Sequence, residues 1–152
     1  ASQHPHLRST ILDIGPVCRI ARENALTYGL AERISTMAAD IFADAWPAEQ
    51  DAVLFGNIFH DWDVASCAIL AEKALAALKP GGVILLHEIL MNDKKTGPLI
   101  AACMSVAMLL HEKGKQYTLG EFAHVLAGAG FSDCHTLAAY GHYHLVIATK
   151  PS

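Results

Sequence analysis

Apolar positions along the chain fall in short β-rich runs separated by longer helical ones. Residues 9–12 form the first strand candidate, ending at Asp13. Residues 17–28 read as a helix, with Gly29 as its stop. Residues 34–38 form a second, weaker strand, and residues 52–55 a short apolar third. Residues 64–78 are rich in Ala, Leu, Glu and Lys and predict a strong helix. Lys79-Pro80-Gly81-Gly82 reads as its stop and a turn, before a fourth strand at residues 83–87.

The pattern then changes. Residues 99–110 are apolar except for Ser105 and predict a buried helix. That run is shorter than the roughly 20 residues a bilayer span needs. Beyond a loop around Gly114, Thr118 with Glu121 three residues later is a capping-box signature. The helix it opens stops at Gly128-Ala129-Gly130. Residues 131–139 and 143–149 read as two strands, close enough for an antiparallel hairpin. Strand and helix alternation implies parallel strands with right-handed crossovers. The fold class expected is α/β, a three-layer sandwich whose mostly parallel sheet ends in that hairpin.

Composition narrows the class. The chain has 152 residues, 53% of them hydrophobic and 17% charged, as expected of one globular unit. Formal net charge is -4, with no basic run, which argues against a nucleic-acid partner. No targeting segment is visible, and no membrane partner is expected. Cys18, Cys67, Cys103 and Cys134 are spaced widely and irregularly. They suit reduced cytosolic thiols better than a metal pair or a disulfide framework, so a cytoplasmic location is expected.

Chemistry-bearing residues recur at one structural position. The predicted strands run into Asp13, Asp40, Asn57 with His60-Asp61, and Glu88. Open parallel sheets bind ligands at the carboxyl ends of their strands. Asp13 can accept from both ribose hydroxyls of a nucleoside, or be a turn aspartate before Gly15-Pro16. Asp40 can accept from an adenine amino group while Ile41 or Phe42 packs on the ring; taken alone, it also fits a loop or N-cap. Asp63 is a natural N-cap for the helix that follows. His60 can be neutral and basic near neutral pH. Glu88 can hold its imidazole in one tautomer, as a triad acid does. His60, Asp61 and Asp63 form no established metal-ligand pattern, and no metal is expected.

The ordered set of motifs resembles a family. Ile11-Leu12-Asp13 with Pro16-Val17, Asp51-Ala52-Val53-Leu54, His60-Asp61-Trp62-Asp63 and Lys79-Pro80-Gly81-Gly82 carry it. So do Glu88-Ile89-Leu90, Thr96-Gly97-Pro98, Gln116-Tyr117-Thr118 with Glu121-Phe122, and Ala129-Gly130-Phe131. Together they are similar to the plant caffeate/flavonoid-type O-methyltransferases and their bacterial natural-product relatives. The resemblance implies a Rossmann-like methyltransferase catalytic domain using S-adenosylmethionine and releasing S-adenosylhomocysteine. Its acceptor would be a hydroxylated small molecule, aromatic or polyketide-like. It assigns the cofactor to Asp13, Asp40, Ile41 and Asn57. His60 would be the general base, Glu88 its orienting partner, and Asp61 part of the substrate site. Met104, Met108 and Trp62 would line the acceptor pocket.

The chain also departs from that family's pattern. Residues 1–6 resemble the end of the first crossover helix. The first strand, its glycine-rich loop and an N-terminal dimerisation domain are therefore expected to be absent from residues 1–152. The full-length protein is expected to be a homodimer, and this chain alone to bind cofactor weakly and be inactive. Gln116 stands where many members carry a glutamate near the histidine, Gly56 replaces a larger polar residue, and Gly15 replaces a common proline. Two readings compete with methyl transfer: the same fold diverted to other chemistry, and an inactive, self-associating fragment. A nicotinamide-dependent dehydrogenase fits the alternation but neither the terminal hairpin nor the His60-Asp61-Trp62 run.

Overall fold

A computed structural model describes residues 2–152. It divides into two units, Ala1–Trp46 and Pro47–Ser152. The N-terminal unit holds β1 (Ser9–Asp13), α1 (Gly15–Thr27) and β2 (Ile34–Ala38). β1 and β2 pair in parallel from Ser9↔Ile34 to Asp13↔Ala38, and α1 packs on them through Cys18 and Ala25. Pro16 sits in the first turn of α1, where its missing N–H costs nothing, so the helix begins earlier than its apolar pattern suggests. The expected helix end at residues 1–6 is not found: residues 2–6 form turns, and Ala1 lies outside the described residues.

The C-terminal unit holds β3 (Gln50–Gly56), α2 (Val64–Ala77), β4 (Leu78–Ile89), α3 (Leu99–His111), α4 (Leu119–Ala129), β5 (Ser132–Ala138) and β6 (Tyr143–Thr149). A 3-10 turn, Phe59–Asp61, follows β3. The sheet order is β3-β4-β6-β5, with β3 parallel to β4 and the β6-β5 hairpin antiparallel. Burial alternates along β4: Ile84, Leu86 and Glu88 are fully buried, while Leu85 and His87 are half-buried. Across the ladder, Val146 and Ala148 pair with Leu86 and Ile84 and are equally buried. Helices α2 and α4 pack on each other and on this sheet.

Three expectations need correction. Residues 79–82 do not form a turn outside the strand. α2 stops at Ala77, and β4 starts at once; the tetrapeptide is a bulge inside it, between the pairs Gln50↔Leu78 and Ala52↔Val83. Gly81, at φ +76, supplies the backbone reversal that the bulge requires. Phe131 is not in β5. Its N–H donates to the Leu126 carbonyl as part of the α4 cap around Gly130, which has φ +105. The apolar run at residues 99–110 is helical but not buried. Ala101 is enclosed, whereas Leu99, Leu109 and Leu110 are more than 70% exposed. Its inner stripe, Ala101 with Met104, meets Ile89, Met91 and Tyr143, and a helix covers only one such stripe.

Candidate active site

In the C-terminal unit, the chain leaves β3 through Asn57. Its φ of +57 is left-handed, uncommon for a residue with a side chain, and its N–H donates to the His87 carbonyl at 3.1 Å. This reversal leads directly into the 3-10 turn that carries His60. Asp63 then caps α2 by accepting from the Ser66 N–H at 2.8 Å, as expected.

Glu88 and His60 form a buried pair. Glu88 is fully enclosed; its Oε1 accepts from the Phe59 N–H at 3.1 Å, and its Oε2 lies 2.5 Å from His60 Nδ1. One carboxylate thus fixes both the backbone of the turn and the ring it presents. His60 Nε2 lies 3.3 Å from Asp61 Oδ1. With Nδ1–H committed to Glu88, a bare Nε2 and a bare carboxylate would repel, and a shared proton relieves them. Both groups titrate accordingly. Burial opposes protonation of His60, but the hydrogen bond to Glu88, its charge, and the charges of Asp61 and Glu112 outweigh it. The imidazole pKa is raised. Asp61 is also raised, by its own burial first, against the pull of His60 and with help from Glu112 and Glu88.

The turn is clamped from its other side. An added Cβ on Gly114 would lie 2.1 Å from the His60 carbonyl oxygen and 2.6 Å from the Trp62 nitrogen, so no side chain fits there. Lys113 N–H donates to the Asp61 carbonyl at 3.1 Å. The Tyr117 hydroxyl donates to the Trp62 carbonyl at 2.6 Å. Cys67 Sγ donates to the Phe59 carbonyl at 3.3 Å; burial pushes this thiol up to about 12. None of these supports was visible in the sequence, because each depends on residues some 8 to 55 positions apart.

The buried Gln116 behaves differently from its neighbours. Its backbone is held, but neither side-chain Oε1 nor Nε2 has a partner among the described residues. An unmet buried polar group costs about 1–3 kcal/mol. His144, the cross-strand partner of Glu88, likewise has a buried Nδ1 without one.

In the N-terminal unit, Asp13 and Asp40 stand at the ends of adjacent parallel strands, and the Ala39 N–H donates to the Asp13 carbonyl at 3.0 Å. Asp13 Oδ1 accepts from the Ile14 N–H at 2.7 Å. Asp40 Oδ1 accepts from Phe42 and Ala43 N–H, so it does cap its own turn. An ionised carboxylate can accept about four hydrogen bonds, so each keeps acceptor capacity beyond these. Two carboxylates with spare acceptor capacity suit the hydroxyls and amino group of a nucleoside. Ile41, the next residue after Asp40, is half-buried. Met104 and Met108 are half-buried on α3, and Trp62 is half-buried after the His60 turn. Among the described residues, no cluster of three metal-ligating side chains occurs, and no helix is long and apolar enough to cross a membrane.

Residues 1–132 match the model of the O-methyltransferase domain family, and the chain belongs to that family. One relative is the 3-hydroxy-5-methyl-1-naphthoate 3-O-methyltransferase of Streptomyces sahachiroi. It is 43% identical over 135 residues, covering 89% of this chain and 39% of the relative. The crystal structure of human N-acetylserotonin methyltransferase in complex with SAM matches with a TM-score of 0.90 and 30% identity, over 99% of this chain and 43% of that one. An O-methyltransferase family 2 protein from Planctomyces limnophilus, in complex with apigenin, matches with a TM-score of 0.90 and 36% identity, over 98% and 44%. The chain spans about two-fifths of the length of the curated relatives it matches.

Proposed function

We propose that this chain is part of the catalytic domain of an S-adenosylmethionine-dependent O-methyltransferase acting on a small aromatic or polyketide-like hydroxyl, with His60 as general base. The observation that carries the reading is the buried Glu88–His60 pair, which leaves Nε2 as the ring's working nitrogen. The naphthoate and apigenin named for two relatives support an aromatic acceptor.

Asp13 would hold the cofactor ribose, Asp40 and Ile41 the adenine, and Asn57 would contribute at the end of β3. The cofactor, when bound, supplies an electrophilic methyl on a sulfonium. The chain's own work is to orient the acceptor and move one proton. His60 Nε2 would take the acceptor hydroxyl's proton, which makes that oxygen the nucleophile. Glu88 keeps Nδ1–H in place and stabilises the imidazolium that results. Asp61 borders the acceptor, and Met104, Met108 and Trp62 wall it; methionine adapts to varied ring shapes. Such positioning can supply up to about 7–11 kcal/mol of the barrier, and general-base help about 10² to 10⁴ in rate.

The reading extends to a cytoplasmic, homodimeric full-length protein, and to weak cofactor binding by this chain alone. Calorimetric titration of S-adenosylhomocysteine into the chain and into the full-length protein tests the last point; equal micromolar binding by both would reject it. Methylation of 2-naphthol by the full-length protein, lost in His60→Ala, tests the activity. Unchanged turnover in that variant would remove His60 as the base.

A further inference from the structure

Gln116 belongs to the segment that supports the His60 turn from its other side. Two residues before it, Gly114 is pressed against the His60 peptide. Its own N–H donates at 3.0 Å to Ser105 Oγ, which sets its backbone against α3 beside Met104. The next residue, Tyr117, accepts from the Met91 N–H at 2.9 Å, just beyond β4. The backbone is therefore anchored to both neighbours while the side chain is not. Gln116 is only 3% exposed, yet its amide meets no donor and no acceptor among the described residues. Buried amides are almost always satisfied, so one left over on the segment that supports the His60 turn points to a partner outside these residues.

We infer that Gln116 reads the acceptor, pairing Oε1 and Nε2 with a substituent that offers a donor and an acceptor together. This rests on the reading of His60 as the base. A carboxamide on the aromatic ring fits best, because two primary amides can exchange both hydrogen bonds. A carboxylate would satisfy Nε2 and leave Oε1 unmet. A plain hydrocarbon edge would leave both unmet, and sites built to hydrogen-bond a substrate discriminate strongly against analogues that cannot.

The experiment compares Gln116→Met with the unaltered full-length protein in two assays. The first is thermal unfolding without substrate. If the amide awaits a ligand, removing it relieves an unmet group, and Tm rises by about 2 °C. If it serves the fold, Tm falls, and the inference is overturned. The second compares kcat/KM for 2-naphthol with that for the same phenol carrying a carboxamide, as 3-hydroxy-2-naphthamide and 3-hydroxy-1-naphthamide. The unaltered protein should prefer one of the amides at least about tenfold, and Gln116→Met should erase that preference. No preference in the unaltered protein, or one that survives the substitution, overturns the inference. Failure of the underlying reading looks different: His60→Ala would leave turnover intact, or no phenol would be methylated while the unfolding assay still reports on the amide.

Discussion

Gly114 faces the carbonyl of His60 across a gap that excludes even a methyl group. The turn bearing the proposed base is thus seated on bare backbone, and its other supports reach it from Lys113, Tyr117 and Cys67. Gly114→Ala should push the turn away and cost about 1–3 kcal/mol of stability. Because the displaced peptide is that of His60, kcat should fall more than KM rises. Chemical denaturation and steady-state kinetics on one preparation check both. An alanine variant of normal stability and turnover would show that the loop yields freely.

Glu88→Gln removes the charge opposite His60 but keeps an oxygen that can accept from the Phe59 N–H. The imidazole then loses the hydrogen bond and charge that raise its pKa. The acidic limb of the pH–rate profile should move to lower pH, while the maximal rate drops about tenfold to a hundredfold. Profiles of the two proteins, measured side by side, give both quantities.

The pH dependence of the unaltered protein follows from the same pair. A base must be neutral to act, and the His60 pKa lies above its ordinary 6.5, so activity should climb only as pH passes that raised value. Stability runs the opposite way. A folded-state pKa above the unfolded one means that folding favours the protonated ring. This contribution is full below pH 6.5 and disappears as pH rises through the raised value. His60→Gln should flatten that part of the stability curve, as read by denaturant midpoints across pH.

Thiol reactivity should separate the cysteines. Cys103 is exposed, whereas Cys67 is buried, hydrogen-bonded to carbonyls, and pushed up to about 12. An alkylating reagent at neutral pH should therefore modify Cys103 readily and leave Cys67 intact until the protein unfolds. Mass spectrometry of brief labelling reads this directly; early modification of Cys67 would mean that the clamp around the His60 turn opens.

Thr118→Ala offers a contrast away from the chemistry. It breaks the reciprocal box in which Thr118 Oγ1 accepts from the Glu121 N–H and Glu121 Oε2 accepts from the Thr118 N–H. Stability should fall by about 1 kcal/mol, visible as a shifted denaturation midpoint, with the pH–rate limb unmoved.

Much of this was legible in the chain because local rules governed it. The capping box at Thr118, the N-cap at Asp63, and the boundaries of residues 34–38 and 143–149 each depend on a few neighbouring residues. The meeting of Glu88 with His60 was legible from strand-end placement. Residues 79–82 misled because Pro and Gly punctuate bulges as well as turns. The exposure of Leu109 and Leu110 was hidden because periodicity tells helix from strand, not which stripe finds a neighbour. Gly114 was legible only as a loop glycine, since what forbids a side chain there is a carbonyl far away in the sequence.

The alternation of β4 has a consequence for how this sequence can vary. Glu88 points to the buried face with His60, while the next residue back, His87, stacks on Tyr143 at 4.5 Å. One residue inserted between Val83 and His87 would move His87 into the place of Glu88 and turn Glu88 to the other face, delivering an imidazole where the carboxylate belongs. The same insertion at residues 79–82 would meet a bulge that already breaks register and could take up the extra length. Length changes should therefore be tolerated at the start of β4 and forbidden at its end, although both lie in one continuous strand.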